Sequence, residues 1–118
     1  MRAALVALAL VGSVTVASAA NAPKAMQGIW TGTALECEAY RANPKSLGKD
    51  TAVLRIAADR ISGATNGTVL NVTGPASFQA SGSEIAGVPM VYELRDGSIL
   101  AETIGDARAA SLYLRCSR

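Results

Sequence analysis

Apolar and polar positions follow two regimes along this chain. From Ala3 to Val11 the residues are uniformly apolar, and Gly12 to Ala19 then mixes in small residues. After that, apolar residues come in short runs, several alternating with polar ones and punctuated by Gly, Asn, Asp and Pro. Alternation with a period of two marks half-buried strands, whereas a sustained 3.6-residue period marks helices. No stretch combines a sustained helical period with capping signals, so the pattern predicts β-structure throughout.

Two hairpins are expected, at Asn66-Gly67 and Asp96-Gly97, pairs that accept positive φ at both centres of a type I′ turn. A two-residue loop at Asn66-Gly67 would pair Gly63 with Leu70 and Ile61 with Val72 on one face. Arg60 with Thr73 and Ser62 with Asn71 would form the other. At Asp96-Gly97 the same rule sets Leu94 against Ile99 and Tyr92 against Ala101, sends Glu93 and Arg95 to the opposite face, and strands Leu100 among polar partners. Further strands are predicted at Ile29–Cys37, with Gly32 marking a bulge or close packing, and at Thr51–Ala57, Ala76–Ala80 and Ala110–Cys116. In the last, Leu112, Leu114 and Cys116 share one face and Ser111, Tyr113 and Arg115 the other. Six to eight short strands in so small a chain imply an all-β domain, a small antiparallel barrel or alternatively a β-sandwich. A barrel removes exposed edges.

The first regime has a different reading. Arg2, the apolar run and Ala17-Ser18-Ala19 have the three parts of a secretory signal peptide, with cleavage after Ala19 or Ala20. A spanning helix needs about 20 apolar residues, and this run is shorter. No cysteine lies near the cleavage region, so a lipid anchor has no acceptor thiol. The division expected is a leader at 1–19, a flexible lead at 20–27 and one β-domain at 28–118. Location is then periplasmic or secreted.

In an oxidising compartment an even cysteine count implies pairing, and the chain has two, Cys37 and Cys116. With both at the ends of strands, an even-stranded barrel would put them at opposite rims. Three resolutions stay open: an odd strand count, a chain that folds back after Cys37, or a first strand that ends earlier. A catalytic thiol pair or metal site is disfavoured by the absence of C-x-x-C spacing and of histidine.

Composition removes function classes. Without Arg2, ten basic and nine acidic residues leave a net charge of +1, which gives nucleic acid no electrostatic handle. Trp30, Tyr40, Phe78, Tyr92 and Tyr113 carry no interleaved basic stripe. Arg41, Lys45 and Lys49 read as a solvated loop. Lack of histidine removes the usual general base and the Ser-His-Asp and Cys-His arrangements. No glycine-rich phosphate loop opens a helix. Carboxylates at Glu36, Glu38, Asp59, Glu93 and Glu102 remain, a residue type that is ordinarily solvated. No enzyme activity, cofactor or metal is expected. The triplets Asn66-Gly67-Thr68 and Asn71-Val72-Thr73 have the form of glycosylation acceptors, and both read as structural behind a leader of bacterial style.

Gly28-Ile29-Trp30 resembles the G-x-W opening of lipocalin-like (calycin) barrels. The resemblance implies a Trp plugging one barrel end and an interior able to hold a small apolar ligand. Size and export also resemble the Inh-type bacterial metalloprotease inhibitors, barrels with one disulfide that insert an N-terminal segment into a protease cleft. By that likeness Asn21–Ala25 would contact the partner, although the Cys37–Cys116 loop is wider than the inhibitor pattern. Read from the residues alone, Trp30 is a core aromatic. The chain is expected to be a monomeric, non-catalytic binding module that engages another protein, or alternatively a carrier of a small apolar ligand.

Overall fold

A computed structural model describes residues 20–45, 52–83 and 87–117. Eight antiparallel strands close into a barrel: β1 (Gly28–Thr31), β2 (Val53–Ile56), β3 (Arg60–Gly63), β4 (Gly67–Gly74), β5 (Ser77–Gly82), β6 (Pro89–Arg95), β7 (Ile99–Ile104) and β8 (Ser111–Ser117). Each strand pairs with its neighbours in sequence, and β8 returns to pair with β1. The all-β barrel read from alternation is therefore the fold, and the sandwich alternative is set aside. Eight strands give an interior just wide enough for side chains to fill. Trp30, Leu54, Ile56, Ile61, Phe78, Tyr92 and Leu100 fill it, all essentially without exposure.

One short helix, α1 (Ala34–Ala42), replaces the second half of the strand expected at Ile29–Cys37. Thr33 caps it: its hydroxyl accepts from the Glu36 backbone N–H at 3.1 Å, and Thr-x-x-Glu is the sequence of a capping box. Only Cys37 of the helix is buried, which is why no apolar period betrays it. Beyond the bend at Gly32 the helix folds back over the outside of the barrel. There Cys37 packs with Ile29 and Cys116, flanked by Tyr40 and Val53, and Cys37 is bonded to Cys116. The strand count is even, so the rim problem is solved by a first strand that ends at Thr31 and a chain that doubles back. Arg41, expected in a solvated loop, lies in the last turn of α1 and donates to the Cys116 carbonyl at 2.8 Å. Lys45 is exposed, and Lys49 lies outside the described residues, as does the leader at 1–19.

Both hairpin registers differ from expectation. At the first, Ile61 pairs with Gly67 and Arg60 with Thr68, five positions short of the expected pairing. Positive φ falls at Gly63, not at Asn66 or Gly67. The Asn66 side chain instead reaches back to the Gly63 backbone. Gly67 is needed for close approach, since a Cβ there would sit 2.5 Å from the Ser81 carbonyl oxygen. At the second, Asp96 and Gly97 both take positive φ, but Ser98 joins them in a three-residue loop, so Arg95 pairs with Ile99 and Leu94 with Leu100. That slip of one residue moves every β7 side chain to the other face. It brings Leu100 opposite Leu94 and sets Tyr92 opposite Glu102. In β8 the two faces are as expected, and the one that turns inward is that of Tyr113 and Arg115. Tyr113 points inward and is buried, while Leu112 and Leu114 lie on the outer wall at 52% and 41% exposure.

Candidate functional site

The two barrel ends are built differently. At one end lie the start of β1, the β2–β3 turn, the β6–β7 turn and the end of β8; residues 20–27 close it. This lead, expected to be flexible, is packed: Ala22 and Met26 are buried, and Lys24–Met26 form a 3₁₀ turn. Ala22 N–H donates to the Ala58 carbonyl at 2.7 Å, and Gln27 Nε2 donates to the Ala22 carbonyl at 2.9 Å. Gly28 then takes φ of 134°, a conformation open to glycine, to turn the chain into β1. Trp30 follows, fully buried, and its Nε1–H donates to the Met26 carbonyl at 2.9 Å. Arg115, its cross-strand neighbour on β8, lays its guanidinium 4.2 Å from the indole centroid. The Arg115 guanidinium also donates to the Gln27 carbonyl at 3.3 Å and to the Ala25 carbonyl. One tryptophan and one arginine thus bolt the lead across this end.

At the other end, β6, β7 and β8 place Tyr92, Glu102 and Tyr113 side by side on the inner face. Glu102 is 3% exposed. Tyr92 donates its hydroxyl to Glu102 Oε2 at 2.6 Å, and Tyr113 donates to Oε1 at 3.3 Å. Phe78 on β5 extends the row, stacked on Tyr92 with centroids 4.9 Å apart. Burial, followed by the adjacent Glu102 carboxylate, pushes both tyrosine pKa values well above the ordinary tyrosine range. The Thr65 hydroxyl beside them acts more weakly in the opposite sense. Both tyrosines therefore remain proton donors to a carboxylate that can only accept.

Above this group the barrel mouth opens into a cavity of about 150 Å³ lined by Thr65, Asn66, Gly82, Val88, Met90 and Ile104, together with Ala64. Met90 and Ile104 are each two residues along their strands from Tyr92 and Glu102, so the cavity lies one row of side chains above the carboxylate. Tyr92 Oη lies 3.9 Å from Met90 Sδ.

The other expected carboxylates are not brought together. Glu36 is spent at the helix start and also accepts from Ala52 N–H at 3.0 Å. Glu93 forms an exposed ion pair with Arg95 at 3.5 Å. Glu38 and Asp59 are solvent-facing. Asn71 sits exposed on β4. Glu102, grouped in the sequence with ordinarily solvated carboxylates, is the one enclosed. The signal that could have found it was Leu100: a one-residue change of register buries both Leu100 and Glu102 and supplies Tyr92 as partner.

Comparison with known proteins adds no relative: no family model, curated protein or solved structure matches this chain. Among the described residues no helix is long and apolar enough to cross a membrane.

Proposed function

We propose that this chain is an exported, non-catalytic binding protein that engages another polypeptide with its outer surface, acting as a monomer in the periplasm or outside the cell. One observation carries the reading. The barrel interior is occupied by the chain's own side chains, from Met26 and Trp30 at the closed end to Phe78, Tyr92 and Glu102 near the mouth. Ligand pockets usually measure about 300–1,000 Å³, and the mouth offers about 150 Å³. A carrier of lipid-sized cargo needs more room than that. The leader pattern and the Cys37–Cys116 bond support export. The outer wall supports contact with a protein, because Leu112 and Leu114 lie exposed beside Ala101 and Ile99, their cross-strand neighbours. Buried Ala22 and Met26 leave little of the lead for insertion into a protease cleft, so the wall is the better contact surface.

Native mass spectrometry of protein isolated from its own host tests the reading. A retained polypeptide is expected, lost from the double variant Leu112→Ser, Leu114→Ser while the barrel stays folded. A stoichiometric lipid-like adduct would overturn it in favour of the carrier. Turnover of a substrate that disappears on changing one carboxylate would overturn both.

A further inference from the structure

Glu102 is a buried carboxylate with no basic side chain paired to it among the described residues. Burying a charge is costly unless it is paired or richly hydrogen-bonded. A carboxylate offers about four lone-pair sites. The hydroxyls of Tyr92 and Tyr113 occupy two. Having donated to Glu102, the tyrosyl oxygens are acceptors, with the Thr65 hydroxyl as a donor beside them. The group beneath the mouth is therefore rich in acceptors and holds an acidic side chain with no basic group beside it among the described residues. The walls above it are largely apolar, from Val88, Met90 and Ile104.

This arrangement matches one ligand chemistry. A primary ammonium has three donors and no acceptor, and it would supply the missing charge. A short aliphatic stem would fit the walls. An anion would be repelled, and an alcohol would bring one donor and no charge where an ammonium brings three donors and a positive charge. Thr65 and Met90 lie between the cavity and the carboxylate. Met90 has a flexible, unbranched side chain suited to moving aside.

We propose that the open mouth of the barrel is a binding site for a primary ammonium group on a short aliphatic stem, held by Glu102 with Tyr92 and Tyr113. The same chemistry is offered by a small free alkylamine and by a lysine side chain. The inference does not depend on the outer-wall reading, since the mouth and the Leu112–Leu114 wall are separate surfaces.

The test is titration of the disulfide-intact mature protein with n-butylammonium chloride, following the Met90 methyl and the Tyr92 and Tyr113 ring resonances. Saturable shifts are expected, with n-butanol and butyrate binding at least tenfold more weakly. Glu102→Gln should weaken the ammonium at least tenfold, as expected for loss of a charge-assisted contact. Should Glu102→Gln fail to fold, Val88→Trp, at a half-exposed wall position, should block binding by filling the mouth. Nα-acetyl-lysine amide separates the sources. Binding by both amines assigns the site to lysine side chains as well, and binding by n-butylammonium alone assigns it to small free amines. Equal affinity for n-butanol, no saturable shift, or binding unchanged in Val88→Trp would each overturn the proposal.

Discussion

The closed and open ends of this barrel answer the same problem in opposite ways. Both must bury polar atoms where strands run out. At the closed end the chain's own lead does it: Met26 and Trp30 fill the space, and Arg115 satisfies the carbonyls of Ala25 and Gln27 while covering the indole face. At the open end no segment among the described residues crosses the mouth, and the polar atoms are satisfied inside by the Tyr92–Glu102–Tyr113 group. The G-x-W segment thus serves stability, whereas the acidic group beneath the mouth keeps accepting capacity beyond its two tyrosine bonds.

Trp30→Ala should have the largest effect on the closed end. It removes the largest enclosed side chain, the bond to the Met26 carbonyl and the platform for Arg115. Unfolding by denaturant should show a loss of about 3–5 kcal/mol. A loss below about 1 kcal/mol would mean that the lead does not depend on Trp30.

Next in size is the disulfide, which ties α1 to β8 one residue beyond Arg115. Replacing Cys37 and Cys116 together by Ser should cost about 2–5 kcal/mol. An unchanged denaturant midpoint would show that β8 holds the closed end without its tether.

The open end has its own signature in alkali. Tyr92 and Tyr113 have folded pKa values raised above the unfolded value, by burial first and Glu102 second. The folded state thus holds protons that the unfolded chain releases. Their contribution is fully present below the unfolded tyrosine value near 10 and is lost as pH rises above it. Stability should fall there by about 1.4 kcal/mol per pH unit for each of the two groups. Absorbance should show Tyr92 and Tyr113 ionising only on unfolding. Ionisation of Tyr92 and Tyr113 near the ordinary tyrosine value in the folded protein would dismiss the buried group. Tyr113→Phe should halve the slope.

These contrasts also explain what was legible in the sequence. Alternation marks the presence of strands from Val53 onward, but not always the inner face: in β4 the apolar Leu70 and Val72 are exposed. The same happens at β8, where the inner face supplies Tyr113 to Glu102 and Arg115 to Trp30 and the aliphatic Leu112 and Leu114 are the outer ones. Helix α1 was written in Thr33 and Glu36, a local signal overshadowed by the strand expected to run from Ile29 to Cys37. Asn66-Gly67 looks like a tight turn, yet the chain uses the asparagine to brace Gly63 and the glycine for lack of a side chain. The Glu102 site depended on the loop length at Asp96-Gly97-Ser98, because one inserted residue decides whether the carboxylate faces water or the core.

Two methionines allow the most direct test of the asymmetry, since they are chemically identical, both buried, and placed one at each end. Met26 is the buried side chain of the lead itself, so its truncation leaves a cavity that neighbours pinned by Arg115 cannot fill. Met90 borders the existing mouth, where side chains and water can relax into the space. Met26→Ala should cost about 3–5 kcal/mol of unfolding free energy and Met90→Ala about 2 kcal/mol. Equal losses, or a larger loss at Met90, would contradict the assignment of stability to the closed end and of spare binding capacity to the open one.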